Sequence, residues 1–460
     1  MSSDTARLEA SPPRKRGKTR FGGTSSASAW QFTALVWVVH WLLTQVPATL
    51  AYRFSSIRTM RENPPRSGIY VEDWGPDSGA WGINLPDLSG WAHWIVEPFR
   101  QWDGTWYVNV AEVGYHSGQT ANAAFWPLYP WLMRLGANVT GLAPEVVGYV
   151  ISNVAFFFAL YFLFRLVNLD FSVTVAEKTL WAVALFPTAF FFTAVYTESL
   201  FFMLAVAALY FARRGEWLLA GSIGLLAALT RSAGMMLLAP FLVLFLQQLG
   251  WRDPRRWFPQ GFAAALPILG PVIFGWHLER QGLDPLDWAD QQWQWNRFSA
   301  MPWRTFDCTI NGCEAEVRSF GSTYTATVQP IDWGWLGAML DNLSWSYLTS
   351  SEFRFRVGES HVLEFIVTVL AFVLVLIGLK VVPLWYTAFV IPPLLVPLFT
   401  PSSVNPLMSM PRFVLPLFPL FVVVAILLGK RSTISWIAAG VSSVLLVLLT
   451  MQFALWYWVS

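Results

Sequence analysis

The stretch RQWDGTWYVNVAEVGYHSGQTANAAFWPLYPWLMR, residues 100–134, holds Asp103 between Trp102 and Gly104 and follows it with Trp106, Tyr107, Tyr115 and His116. A carboxylate sheltered by aromatic faces can take a proton from a hydroxyl, and the same faces can stack on a sugar ring. The competing role for Asp103 is that of an ordinary loop aspartate capping a helix. Glu198, in the segment Tyr196-Thr-Glu-Ser199, is flanked by apolar runs on both sides. An acid at the edge of a membrane span is usually functional or paired. Arg231 and Arg412 lie at similar boundaries, where a guanidinium can grip a lipid phosphate through two parallel hydrogen bonds. Snorkelling to the interface is their competing use. His277, in Trp276-His-Leu-Glu-Arg280, is a further candidate for contact with sugar or acceptor. The acidic pairs Asp284 and Asp287, and Glu314 and Glu316, have spacings common by chance, and no metal site or cofactor is expected.

The elements that must hold these residues follow from composition. Of the 460 residues 55% are hydrophobic and 13% charged, whereas a soluble domain carries about 25% charge, and the mean hydropathy is +0.46. Repeated apolar runs approach the ~20 residues that span hydrocarbon. The expectation is an all-α polytopic membrane protein, and the 27 Trp and 13 Tyr suit interfacial belts. The net charge of +2 says nothing about partners; membrane lipids are the expected surroundings, and no nucleic-acid partner is expected.

Residues 1–29 are rich in Ser, Pro, Gly and basic side chains, and are expected to be a disordered cytoplasmic tail. Residues 30–460 read as one transmembrane domain. The first span is expected over Trp30 to about Ala51, and the second over Val146–Val167. The others are expected over roughly 179–196, 199–212, 217–231, 234–249, 258–277, 361–379, 381–399, 412–429 and 434–458, about eleven in all. Residues 125–141, broken by Pro127 and Pro130, read as re-entrant or interfacial. Two large loops remain, 52–122 with Asp103, and 278–360.

Short-loop basic residues set the orientation. With the N-terminus in the cytoplasm, Arg165 and Lys178, Arg213 and Arg214, Arg252, Arg255 and Arg256, Lys380, and Lys430 and Arg431 all fall on the cytoplasmic side. Both large loops, Glu198, Arg231 and Arg412 then gather on the opposite face. Cys308 and Cys313 are both in the second loop; they form a disulfide if it faces an oxidising compartment, and are free thiols otherwise.

Three segments, QWDGTWYVNVAEVGY followed by AFWPLYP, FPTAFFFTAVYTESLFF, and GLLAALTRSAGMMLL, together resemble the PIG-V family of GPI mannosyltransferases and its prokaryotic relatives. The family pattern usually has Arg-Trp-Asp where this chain has Gln101-Trp102-Asp103, and Arg-Ser-Asn-Gly at Arg231-Ser232-Ala233-Gly234. The C-terminal half matches loosely, through MPRFVLPLFPLF. The resemblance implies a GT-C glycosyltransferase whose first extracytoplasmic loop carries the catalytic carboxylate. It implies a polyprenyl-phosphate sugar donor, typically mannose, a glycolipid or lipid-linked glycan acceptor, and inversion at the anomeric carbon. Asp103 then serves as base, Arg231 and Arg412 bind the donor phosphate, and Trp102, Trp106, Tyr107, Tyr115, His116, Glu198 and His277 contact sugar or acceptor. A transporter or flippase of polyprenyl-linked lipids is the alternative from another class. The compact loops favour a prokaryotic plasma membrane, with the endoplasmic reticulum as the other location; the sequence names no partner subunit.

Overall fold

Apart from a closed barrel, only a helix satisfies its own backbone N–H and C=O groups in hydrocarbon, and the long apolar runs of this chain are helical. The computed structural model describes residues 26–54, 85, 87–249, 258–319, 322–334, 344, 361–429, 432–456 and 458–459. Among them, six helices are long and apolar enough to cross a membrane: Ser28–Phe54, Pro144–Asp170, Ser232–Leu249, Gln260–Arg280, His361–Val381 and Thr433–Ala454. This is a multi-pass membrane protein. Three shorter apolar helices accompany them, Trp217–Thr230, Leu384–Phe399 and Phe418–Leu428.

Six full-length spans fall short of the eleven expected, for physical reasons. The 179–196 run is not one helix: Val173–Ala184 ends before Pro187, and a 3-10 turn, Ala189–Phe192, follows. Proline has no N–H to continue the ladder. The 412–429 run is divided into Met410–Val414 and Phe418–Leu428, with Pro416 and Pro419 at the break. Glu198–Arg214 has 17 residues, about 25 Å at 1.5 Å per residue, against a hydrocarbon core of ~30 Å.

The fold is all-α apart from one antiparallel hairpin, formed by Cys313–Ser319 and Ser322–Val328. Its alternation turns Ala315 and Val317 inward with Phe298, Cys308 and Val328. Cys308 and Cys313 are joined as a disulfide. Of the expected tail, residues 1–25 lie outside the described residues, and the first helix already begins at Ser26. In the two loops, 55–84, 86, 320–321, 335–343 and 345–360 likewise lie outside.

The irregular run from Thr188 to Tyr196 is buried throughout and packs between the helices Pro144–Asp170 and Glu198–Arg214. Buried backbone outside a helix must find partners elsewhere. Here Val195 donates its N–H to the Phe99 carbonyl at 2.9 Å. Ser199 Oγ donates to the Phe192 carbonyl at 2.6 Å, and Ser152 Oγ to that of Tyr196 at 3.2 Å. Broken helix is thereby tolerated inside the protein, and it delivers Tyr196, Thr197 and Glu198 to the Asp103 segment.

Candidate active site

Asp103 opens the helix Asp103–Val113, and Trp102 before it sits at φ 56°, ψ −120°. A positive φ is uncommon for a non-glycine residue and an outlier for a bulky one, so the turn that aims Asp103 is held by its surroundings. The preceding 3-10 turn, Glu97–Phe99, is anchored by Arg100. This guanidinium is 1% exposed and meets Glu97 at 2.6 Å and Glu145 at 2.8 Å, the latter in the first turn of the helix Pro144–Asp170. Burial raises the Glu97 pKa above the ordinary carboxylate value, and Arg100 opposes the shift.

Four charged side chains then form one chain of contacts. Arg412 Nη1 donates to Asp103 Oδ2 at 2.5 Å, while Arg412 Nε donates to Glu198 Oε1. Arg231 Nη1 donates to the same Glu198 oxygen and, at 3.2 Å, to Thr197 Oγ1. Glu198 is 1% exposed and Asp103 19%, so solvent or substrate reaches the aspartate end. The Arg412 guanidinium lies over the Tyr196 ring at 4.7 Å and the Phe191 ring at 5.3 Å. Two carboxylates and two guanidiniums balance in charge, which makes their burial tolerable.

Residues 89–249, which hold Asp103, Glu198 and Arg231 but not Arg412, match the family model described as Mannosyltransferase (PIG-V). Over those residues the chain is similar to the PIG-V mannosyltransferases. No curated protein matches the sequence. The crystal structure of ArnT from Cupriavidus metallidurans bound to undecaprenyl phosphate is similar over 91% of this chain, with 13% identity and a TM-score of 0.45. The chain spans 63% of the length of that protein.

The other expected site residues separate into two groups. Tyr107 joins the charged chain, with its hydroxyl 3.1 Å from Thr197 Oγ1; burial pushes its pKa up to about 12, followed by the charge of Glu198, so it stays a neutral phenol. Trp102 packs on Trp458 at 5.0 Å and Trp456 at 5.8 Å, and Trp106 stacks on Phe125 at 5.3 Å. Tyr115, His116 and His277 form the second group. Tyr115 donates its hydroxyl to the Phe125 carbonyl at 2.7 Å, and its ring faces His277 at 5.6 Å. His116 Nδ1 accepts the Gly118 N–H at 3.2 Å, capping a 3-10 turn. Among the described residues no hydrogen bond or ion pair ties these three to the Asp103–Arg412 pair.

Gly234 explains why the TRSAG segment of the PIG-V region ends in glycine. A Cβ there would lie 2.3 Å from the Ala228 nitrogen and 2.4 Å from Ala227. The 3-10 turn Ser232–Leu237 can therefore fold back on the helix end and present Arg231 to Glu198.

Two residues outside the expected set belong to this surrounding. Tyr196 contacts both Asp103 and Arg412, and its place in the YTES segment was the available signal. Arg297 comes from the second loop, donates Nη1 to the Thr400 carbonyl at 2.7 Å, and takes part in an isolated bridge with Ser402. Desolvation lowers its pKa to about 10, with Asp103 opposing, so it is charged at neutral pH. Among the described residues it forms no ion pair.

Proposed function

We propose that the protein is an inverting GT-C-type glycosyltransferase. It moves a sugar, mannose by its family, from a polyprenyl-phosphate donor to the hydroxyl of a glycolipid or lipid-linked glycan on the non-cytoplasmic face. The observation that carries the reading is the Asp103 carboxylate, held through Oδ2 by Arg412 at the exposed end of a charge chain in a PIG-V region.

In this reading Asp103 takes the proton of the acceptor hydroxyl as that oxygen attacks the anomeric carbon, and the bond from that carbon to the phosphate oxygen breaks on the opposite side. The polyprenyl phosphate leaves with the electron pair. A sugar phosphate already carries a good leaving group, so alignment, a base and cations for the departing oxygen supply the rate. Asp103 Oδ1 accepts no hydrogen bond among the described residues and is the oxygen for the acceptor proton. Arg412 and Arg231 are each shared with Glu198, and Arg297 adds a cation that forms no ion pair among the described residues. These three form the phosphate-binding set, with Trp102, Trp106 and Tyr107 beside the sugar.

The test is direct. Membranes containing the protein, incubated with radiolabelled polyprenyl-phosphate mannose, are expected to yield a new lipid glycoside that Asp103→Asn membranes do not yield. Movement of the lipid across the bilayer without a new glycoside would support the transport alternative instead.

A further inference from the structure

We propose that Tyr196 is the positioning residue of this site, fixing Asp103 through its hydroxyl and Arg412 through its ring; the proposal rests on the reading of Asp103 as the base. The Tyr196 hydroxyl donates to the Gln101 carbonyl at 2.9 Å and accepts the Asp103 N–H at 3.1 Å. One oxygen thus bridges the two residues on either side of Trp102, whose φ of 56° is a conformation that the chain would leave without restraint.

The same bond serves the helix that Asp103 opens. The first N–H groups of a helix lack partners inside it, and the N-cap residue Trp102 has no side chain able to supply one. Tyr196 fills that role from 93 positions away. It sets the start of the helix and with it the direction of the Asp103 side chain.

The ring does the second task. Arg412 lies over it at 4.7 Å, and a guanidinium on an aromatic face is attracted by the ring's negative surface. Asp103 and Arg412 therefore meet at 2.5 Å while both are held by one side chain, itself 1% exposed and backed by Phe453 at 5.8 Å.

Tyr196→Phe separates the two tasks, because it keeps the ring and removes the hydroxyl. The expected result is a fall in kcat of about tenfold to a hundredfold, the range for leaving one N–H, that of Asp103, unsatisfied, with donor KM changed less than about threefold. Tyr196→Leu also removes the ring face, so donor KM rises as well. Phe453→Leu, which loosens the packing behind the ring without touching either polar contact, is expected to lower thermal stability with kcat kept. A Tyr196→Phe protein with unchanged kcat overturns the proposal, and so does a Phe453→Leu protein whose kcat falls as far as that of Tyr196→Phe.

If Tyr196→Phe does not accumulate, Trp102→Gly is compared with Trp102→Gly/Tyr196→Phe. Glycine takes the positive φ readily. A lower kcat in the double variant at equal donor KM supports the clamp, and equal kcat overturns it. Asp103→Asn is assayed in parallel. Turnover retained there sinks the base assignment and the proposal together, whereas a dead Asp103→Asn beside a normal Tyr196→Phe sinks only the proposal.

Discussion

Arg412 Nη1 lies 2.5 Å from Asp103 Oδ2, although the two residues are 309 positions apart. The contact closes the site: it joins a helix N-terminus in the first loop to the short helix Met410–Val414 near the end of the chain. It also divides the carboxylate into two unlike oxygens, Oδ2 committed to the guanidinium and Oδ1 open to a substrate. An aspartate acting as base needs both features, a fixed plane and an unoccupied lone pair.

Asp103→Asn is expected to keep the fold and abolish transfer. The amide oxygen can still accept from Arg412, but the amide nitrogen cannot take the acceptor proton. Loss of a general base costs about 10² to 10⁴ in rate. Turnover of purified variant and wild type in one detergent decides it, and a near-normal rate would remove Asp103 from the base role.

Glu198 accepts from both Arg231 and Arg412 with the same oxygen, so its neutralisation leaves a buried cation facing a partly buried one. Glu198→Gln and Arg231→Met are each expected to lower thermal stability. Groups in one ionic network couple by about 0.5 to 3 kcal/mol, so the double variant should lose less than the sum of the singles. Strict additivity in thermal melts would show that the pair acts independently.

Gly234→Ala is expected to be more damaging than a surface substitution, because the added methyl meets backbone 2.3 Å away. Backbone cannot rotate aside as a side chain can, and overpacking typically costs about 1 to 3 kcal/mol. Gly104→Ala should be mild by comparison, since its nearest contacts are at 3.5 Å. The order of the two melting temperatures is the measurement; a reversed order would discount the close approach at Gly234.

Charge is scarce in this chain: Glu198, Arg231 and Arg412 stood out because each breaks an apolar pattern at a boundary, and Asp103 because it lies among aromatic side chains in a polar loop. Their pairing was not legible. Glu198 and Arg412 are 214 positions apart, and no periodicity encodes which boundary faces which, so the arginines read as unshared phosphate ligands. Hydropathy over 179–196 looks like a span because burial in protein and burial in lipid select the same residues; Pro187 was the local sign of the break. The hairpin had a signal too, since Glu314-Ala-Glu-Val-Arg318 alternates polar and apolar positions as a half-buried strand does. Arg297 carried none, being one basic residue in a long polar loop, and its relation to Asp103 arises only from the tertiary fold.

Topology offers an independent check. The disulfide between Cys308 and Cys313 agrees with an oxidising side for the second loop. With both changed to Ser, a single cysteine at the exposed Arg304 or Trp303 should react with an impermeant maleimide added outside intact cells. Labelling only after the membrane is opened would reverse the orientation and detach the charge-bias argument from this chain.

The donor phosphate should depend on Arg297 more than on Arg231. Arg231 already serves Glu198 and Thr197 through one nitrogen, whereas Arg297 has only the Thr400 carbonyl at 2.7 Å and no ion pair among the described residues. A desolvated guanidinium that forms no ion pair among the described residues gains from an incoming anion, because that anion can supply a direct partner. Removing a charge-assisted hydrogen bond costs about 1.5 to 3 kcal/mol, so Arg297→Gln should raise donor KM by about ten- to a hundredfold and acceptor KM little. Arg231→Gln should act chiefly on stability, by freeing Glu198. Lysine at 297 keeps the charge without the planar fork and should give an intermediate donor constant. A donor KM that is unmoved in a folded Arg297→Gln protein would strike this residue from the phosphate set and return the role to Arg412 and Arg231.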